Sequence, residues 1–314
     1  MKKLLLFLFF PIPVFAQLRW QKMDSVYGPL PSSIHIYRSA EKLDGRPFIA
    51  YYLSARLKDK GLLFTTQIAK NTRYTPSQFF QYESNPIVLV NGGFFSYQGN
   101  QNISLVVRNG KILGYNVKSL AGNGPDSSLY YYPTRGALGI SRKGKADVAW
   151  VFNDSSNHWA YAFEWNPVIA KGEDENPSIY DLNDINWKWW KVRTAIGGGP
   201  VLIHDGRIFI TDREEEISFG KDSIRPATAI GYTSDDRLII LVVQGRSPGI
   251  AQGVSLTEEA LILKELGCYE ALNLDGGGSS CMLVNGMETI KPADPDGERP
   301  ITSVFLIKSK PGRL

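Results

Sequence analysis

Residues 268–289 read CYEALNLDGGGSSCMLVNGMET. Tyr269 to Leu274 has the composition of a strand, three glycines at 276–278 remove every Cβ from the turn that follows, and an apolar run ends on Asn285 and Gly286. Asn-Gly between apolar segments is a strong local signal for a two-residue hairpin, because a type I′ turn needs positive φ at both central positions. The same order recurs in AIGGGPVLIHDGRIF (195–209), with its turn at Asp205 and Gly206. A looser copy starts at NGGFF (91–95) and, after an insertion, continues as SLVVRNGKIL (104–113), turning at Asn109 and Gly110. RGALG (135–139) and RPATAIG (225–231) suggest a further duplication. Such self-similarity predicts related β units packed around one centre, with their Gly-rich loops gathered at one end.

Working outward, the chain reads as many short strands with few helices, and the fold class expected is α+β, with mixed, largely antiparallel sheets and Gly-rich hairpin loops. The clearest helix spans about 256–266: Ser255 and Glu258 form a capping box, Ala260, Leu261, Leu263 and Leu266 can share a buried face, and Gly267 supplies the stop. A second helix is expected to start with Thr75 as cap and Pro76 as first residue. Six of the seven tryptophans fall between Trp150 and Trp190. That segment reads as an elaborated surface region with a small aromatic core in preference to a sugar-stacking platform.

The first residues, MKKLLLFLFFPIPVFAQ, have the positive start, short apolar run and small residues Val14 and Ala16 of a cleaved secretory signal, here residues 1–16. No segment approaches the roughly 18 uninterrupted apolar residues of a membrane helix, and no cysteine stands where a lipid could be attached. A secreted or periplasmic protein is expected, with no membrane anchor in the mature chain. Loss of Lys2 and Lys3 removes two charges from the formal +4, leaving no general attraction for nucleic acid or anionic lipid. At 43% hydrophobic the chain can bury a substantial core, and no linker divides it.

Cys268 and Cys281 are not expected to pair. They lie at opposite ends of the stretch running from the strand through the Gly-rich turn, separated by several residues at about 3.3 Å each, beyond the roughly 7 Å that a disulfide spans between Cα atoms. With three histidines and two cysteines a zinc site is not expected. The sequence calls for no cofactor; a divalent cation is compatible with it but unsupported, and metal ligands are unknown.

A glycine turn at the end of a strand lets backbone amides approach an anion and form a nest, to which Ser279 and Ser280 add hydroxyls. The pattern lacks the lysine and spacing of a P-loop. Gly92 and Gly93 behind Asn91, and Gly197 to Gly199, have the same character, so the three clusters are expected to converge on one cavity. Arg225 and Arg246 flank strands nearby, and a guanidinium beside such a nest is the usual fork for a phosphate oxygen.

NGGFF, RGALGI, AIGGGPVL, RPATAIG, the stretch LVVQGRSPGIAQGVSLTEEALILKELGCYEALNLDGGGSS and the closing ERPITSVFLI together resemble the phosphodiester glycosidase family, in family order, from about Asn91 to Ile307. The resemblance implies a catalytic domain over 86–314; it does not account for the Trp-rich insertion at about 150–190 or for residues 17–85, which are expected to be an N-terminal extension packed on the core. It implies hydrolysis of a sugar 1-phosphodiester, such as a diester of N-acetylglucosamine 1-phosphate, at the glycosidic C–O bond, with a sugar-phosphate or glycan as the substrate partner. Asp275, Arg225 and Arg246 are the catalytic candidates. Asn91, Gly92, Gly93, Gly198, Gly199, Thr228, Asn273, Gly276, Gly277, Gly278, Ser279 and Ser280 are the substrate-binding ones. Where family members often read Asp-Gly-Arg, this chain has Gln244, Gly245 and Arg246, which removes a carboxylate from position 244. A phosphodiesterase cleaving P–O, or a non-catalytic polysaccharide-binding module, are the alternative readings.

Overall fold

The computed structural model describes residues 18–122, 128, 130–154, 158–166 and 187–310. The signal segment expected at 1–16 and the middle of the Trp-rich insertion lie outside them. Among the described residues three large sheets and three two-stranded ribbons are formed. An eight-stranded sheet has Ala50–Arg56, Arg237–Val243, Ala227–Thr233 and Cys268–Asn273 as its centre. In the seven-stranded sheet Val106–Arg108, Thr194–Gly197, Gly136–Ile140 and Ala146–Asp154 lie side by side. A five-stranded sheet is centred on Val88–Asn91 between Met282–Val284 and Ser303–Ser309, with Leu62–Ile68 at its edge. Every ladder among the described residues is antiparallel. The largely antiparallel expectation therefore holds, and with three helices there the balance lies well to the β side.

Strand periodicity explains the layering. Leu238, Ile240 and Val242 point into a core shared by all three sheets, with Ile196, Leu138 and Trp150 from the second and Val90, Phe305 and Met282 from the third. The alternate residues Ile239, Leu241 and Val243 meet Leu256, Ala260 and Leu263 of the helix Leu256–Glu265 on the outer face. That helix starts where its capping box places it, with Ser255 and Glu258 exchanging hydrogen bonds, and Gly267 follows it at φ 84. Its buried face includes Ile262 where Leu261 had been expected. The helix Pro76–Tyr82 is capped by Thr75 and lays Phe79 on the outside of the five-stranded sheet.

All three expected turns have positive φ at both positions: 54 and 79 at Asn109-Gly110, 47 and 72 at Asp205-Gly206, 48 and 82 at Asn285-Gly286. Residues 18–85 contribute Ala50–Arg56, paired to Arg237–Val243, and Leu62–Ile68, paired to Ser303–Ser309. The boundary drawn at residue 85 thus coincides with no break in either sheet.

Each Gly-rich loop lies where the chain changes sheet. After Val88–Asn91 the chain passes from the five-stranded to the seven-stranded sheet, and after Thr194–Gly197 from the seven-stranded to the eight-stranded one. After Cys268–Asn273 it returns to the five-stranded sheet at Met282. The strands before and after 276–278 are therefore joined by the glycine turn without pairing. Three crossings at one pole bring backbone against backbone, which is what the glycines permit: a Cβ on Gly198 would overlap the Asn273 carbonyl oxygen.

Candidate active site

The strand that pairs with each crossing strand is preceded by an arginine. Arg135 precedes Gly136–Ile140, paired to Thr194–Gly197; Arg225 precedes Ala227–Thr233, paired to Cys268–Asn273; Arg299 precedes Ser303–Ser309, paired to Val88–Asn91. The third copy is legible afterwards as Arg299-Pro300-Ile301-Thr302 beside Arg225-Pro226-Ala227-Thr228. It was missed as a site residue. Each arginine has a carboxylate: Glu215 acts electrostatically on Arg135, Glu259 lies 3.6 Å from Arg225, and Asp294 takes two hydrogen bonds from Arg299 at 2.7 and 2.8 Å.

Asn91 joins the loops. Its Nδ2 donates to the Asp275 carbonyl at 2.7 Å and to that of Gly92 at 3.1 Å, while its Oδ1 accepts from Thr228 Oγ1 at 2.8 Å and the Cys281 amide at 3.1 Å. Asn273 is equally committed: Nδ2 donates to the Gly199 and Leu274 carbonyls and Oδ1 accepts from Arg225. Asn91, Thr228 and Asn273 are completely buried. These three hold the loops in register, and their polar atoms are spent inside the protein. Gly92, Gly93, Gly198 and Gly199 act likewise through their backbones; the Gly92 amide donates to Ser303 and that of Gly199 to Asn273.

Asp275 and Gly276 are the half-buried members of the turn, whereas Gly277, Gly278, Ser279 and Ser280 are buried. The expected nest is not formed by the first two amides, because Gly276 donates to the Asp275 carboxylate at 3.0 Å and Gly277 to the Pro226 carbonyl at 2.9 Å. Positive charge comes from guanidiniums instead. Arg246 is exposed, has φ 56 and lies over Gly277, and its Nη1 is 3.9 Å from Asp294 Oδ1. The Asp294–Arg299 pair covers Gly278 so closely that a Cβ there would overlap both side chains. Arg225 is buried across the Phe219 ring, with its Nη atoms on Asn273, Ser223 and Glu259. Its Nε, with Ser280 Oγ and Ser303 Oγ, is buried without a hydrogen-bond partner among the described residues, while the Ser279 hydroxyl faces the Asp275 carboxylate. Three orphaned polar atoms around one turn point to a ligand or water that would satisfy them.

Burial raises the Asp275 pKa to about 6, although Ser279, Arg299, the Gly276 amide and Arg225 pull it down. Burial also pushes Glu259 up to about 7 against the pull of Arg225. Arg225 itself is lowered by burial, with Glu259 and Asp275 opposing. A carboxylate poised near neutrality beside guanidiniums is an arrangement suited to proton transfer at an anionic substrate. Glu215, wholly buried, takes four hydrogen bonds, from Gly136, Trp150, Val201 and Thr211, and fastens the second crossing.

Elsewhere, both cysteines are free, as expected. Trp150 is in the core and Trp190 is buried against Asp147, while Trp159, Trp165 and Trp189 are exposed. Among the described residues, one His and carboxylate group could share a cation, His204, Asp205 and Glu270. It lies at the far end of Val201–His204 from the glycine turn.

The phosphodiester glycosidase family model matches residues 151–308, half of the chain, and includes the glycine turn and every arginine and carboxylate named around it except Arg135. The chain belongs to the phosphodiester glycosidase family. It is 30% identical over 125 residues to human N-acetylglucosamine-1-phosphodiester alpha-N-acetylglucosaminidase, a match covering 39% of this chain and 22% of that protein. The bovine enzyme is 29% identical over 125 residues. This member of the family thus matches about a fifth of the length of those relatives. Among solved structures, the zebrafish enzyme's catalytic domain, auto-inhibited by its pro-peptide, superposes with a TM-score of 0.57 at 20% identity, over 88% of this chain and 82% of that one. A hypothetical protein from Synechocystis gives 0.58 at 16% identity, over 95% and 69%. These likenesses show that the fold is shared. Among the described residues no helix is long and apolar enough to cross a membrane.

Proposed function

We propose that the protein is an exported hydrolase that cleaves a sugar 1-phosphodiester, with N-acetylglucosamine 1-phosphate diesters as the substrate class, at the glycosidic C–O bond. The observation that carries this reading is Asp275, a carboxylate with pKa near 6 on a turn overlaid by Arg246 and Arg299 and backed by Arg225. In this reaction the C1–O bond to phosphate breaks, a water oxygen bonds to C1, and the water proton passes to the carboxylate or to the departing phosphate. The leaving phosphomonoester has a second pKa of about 6, so it departs without a strong general acid. What the reaction needs is positive charge for the phosphate and a carboxylate for water or for the oxocarbenium-like carbon. Arg246, the exposed guanidinium, would take the phosphate, with Arg225 Nε and the Ser279 and Ser280 hydroxyls completing its contacts. Asp275 would serve the sugar carbon. The enzymatic activity for which the human and bovine relatives are named supports the same substrate class, and the signal-like pattern of residues 1–16 supports export.

The test is a turnover screen of sugar 1-phosphodiesters with purified mature protein, with and without chelator. Release of free sugar and phosphomonoester is expected in both conditions. A protein that binds glycan without turning over any diester would favour the binding-module reading.

A further inference from the structure

The pole opposite the glycine loops carries a cavity of about 370 Å³ lined by Lys58, Lys60, Arg142, Lys143, Arg193 and Lys310, with Asp59 as the single acidic residue. Four strands fix its position. Gly136–Ile140 starts beside Gly198 and ends at the cavity, Thr194–Gly197 starts at the cavity and ends at the glycine loop, and Ser303–Ser309 runs from Gly92 to Lys310. Leu62–Ile68 begins at the cavity and pairs along Ser303–Ser309. Seven residues at about 3.3 Å each place the two poles roughly 20 Å apart, so this is not an extension of the Asp275 site.

The cavity concentrates more positive charge than the whole chain has in net terms: five in excess around it, against a formal +4 overall. Among the described residues the compensation is slight. Lys58 pairs with Asp236, and Asp59 feels Lys310 but is turned to the Gly61 amide. Lys60, Arg142, Lys143 and Arg193 have no ion-pair partner there. Beneath the rim the walls are apolar, with Leu57, Leu62, Phe64 and Ile140 buried. Holding like charges around a concave, partly apolar cavity raises the local potential and costs self-repulsion, which a bound anion reverses. A lone carboxylate balances one charge. Clustered phosphates, each near two charges at neutral pH, balance several within this volume and match the forked donors of Arg142 and Arg193.

We infer that this cavity is a second, non-catalytic binding site for a ligand carrying two or more phosphate groups. The ligand is either a soluble polyphosphorylated molecule or a phospholipid headgroup bearing two phosphates. Full-length protein would be titrated calorimetrically with inorganic tripolyphosphate, and separately sedimented with vesicles of phosphatidylcholine with or without cardiolipin, whose headgroup holds two phosphates. One tripolyphosphate per chain is expected, weakened by added salt and at least tenfold weaker in the double variant Arg142→Gln, Arg193→Gln, whose thermal midpoint and diester turnover should match the parent. Binding confined to cardiolipin-containing vesicles and lost in that variant would assign the headgroup as the source. Binding of neither probe, or binding undiminished in the double variant, would overturn the inference. So would tripolyphosphate acting as a competitive inhibitor of turnover with the affinity seen by calorimetry, since it would then occupy the Asp275 turn.

Discussion

The side-chain amide of Asn91 donates to the backbone carbonyl of Asp275 at 2.7 Å, across 184 residues of sequence. That bond ties the first sheet crossing to the third, and the same side chain reaches Thr228 and Cys281. Asn91→Ala should therefore lose about 2–4 kcal/mol by leaving buried donors and acceptors unpaired. Activity should fall with it. Denaturant unfolding alongside turnover checks this; an unchanged midpoint would show that the loops are held by something else.

Asp275→Asn separates fold from chemistry. Asn keeps the volume and an oxygen for the Gly276 amide, so unfolding midpoints should match the parent. Turnover of a sugar 1-phosphodiester should drop about 10²–10⁴-fold, the usual contribution of a proton-transfer group. Inactivity with a large loss of stability would instead make the residue a turn former.

Arg225 and Arg246 should behave differently although both are arginines beside the turn. Arg225→Lys loses the fork that holds Asn273 and Ser223 and the stacking on Phe219, so a loss of about 1–3 kcal/mol in stability is expected together with activity. Arg246→Ala is exposed and should leave stability within about 0.5 kcal/mol. Its KM should rise about tenfold, the ~1.4 kcal/mol of one charge-assisted contact. Equal stability losses in the two variants would contradict this division.

Much of the architecture was readable because it is local. Asn-Gly and Asp-Gly turns, the Ser255–Glu258 and Thr75 caps and the strands between them depend on neighbours within a few residues. The partition into three sheets depends on which distant strands pair, so the glycine turn read as a link within one unit when it joins two sheets. Arg299 and Asp294 escaped notice because the segment before Ser303 has no periodicity and reaches Gly278 only through the fold. Glu259 sits next to Glu258, the capping partner of Ser255, and reads as a solvent-facing first-turn acid, yet it is completely buried against Arg225. The six cations of the opposite pole come from four separated stretches, none basic enough alone to stand out.

Two raised carboxylates set a pH dependence of stability. Burial raises the pKa of Asp275 to about 6 and of Glu259 to about 7, above the ordinary carboxylate range. The folded state therefore binds these protons more tightly than the unfolded chain. Their stabilising contribution is complete below the ordinary carboxylate range and is lost as pH rises through about 6 and about 7. Stability should fall between roughly pH 4.5 and 7, and the slope should flatten in Glu259→Gln whatever its absolute stability. A parent profile that rises across this window would contradict the assignment.

The central claim is that Asp275 serves chemistry at the sugar carbon. Hydrolysis of a sugar 1-phosphodiester in heavy-oxygen water, with products separated and weighed by mass spectrometry, tests it most directly. The label should appear in the free sugar and not in the phosphomonoester, and Asp275→Asn should release neither product above background. Label in the phosphate would mean attack at phosphorus and would contradict the account.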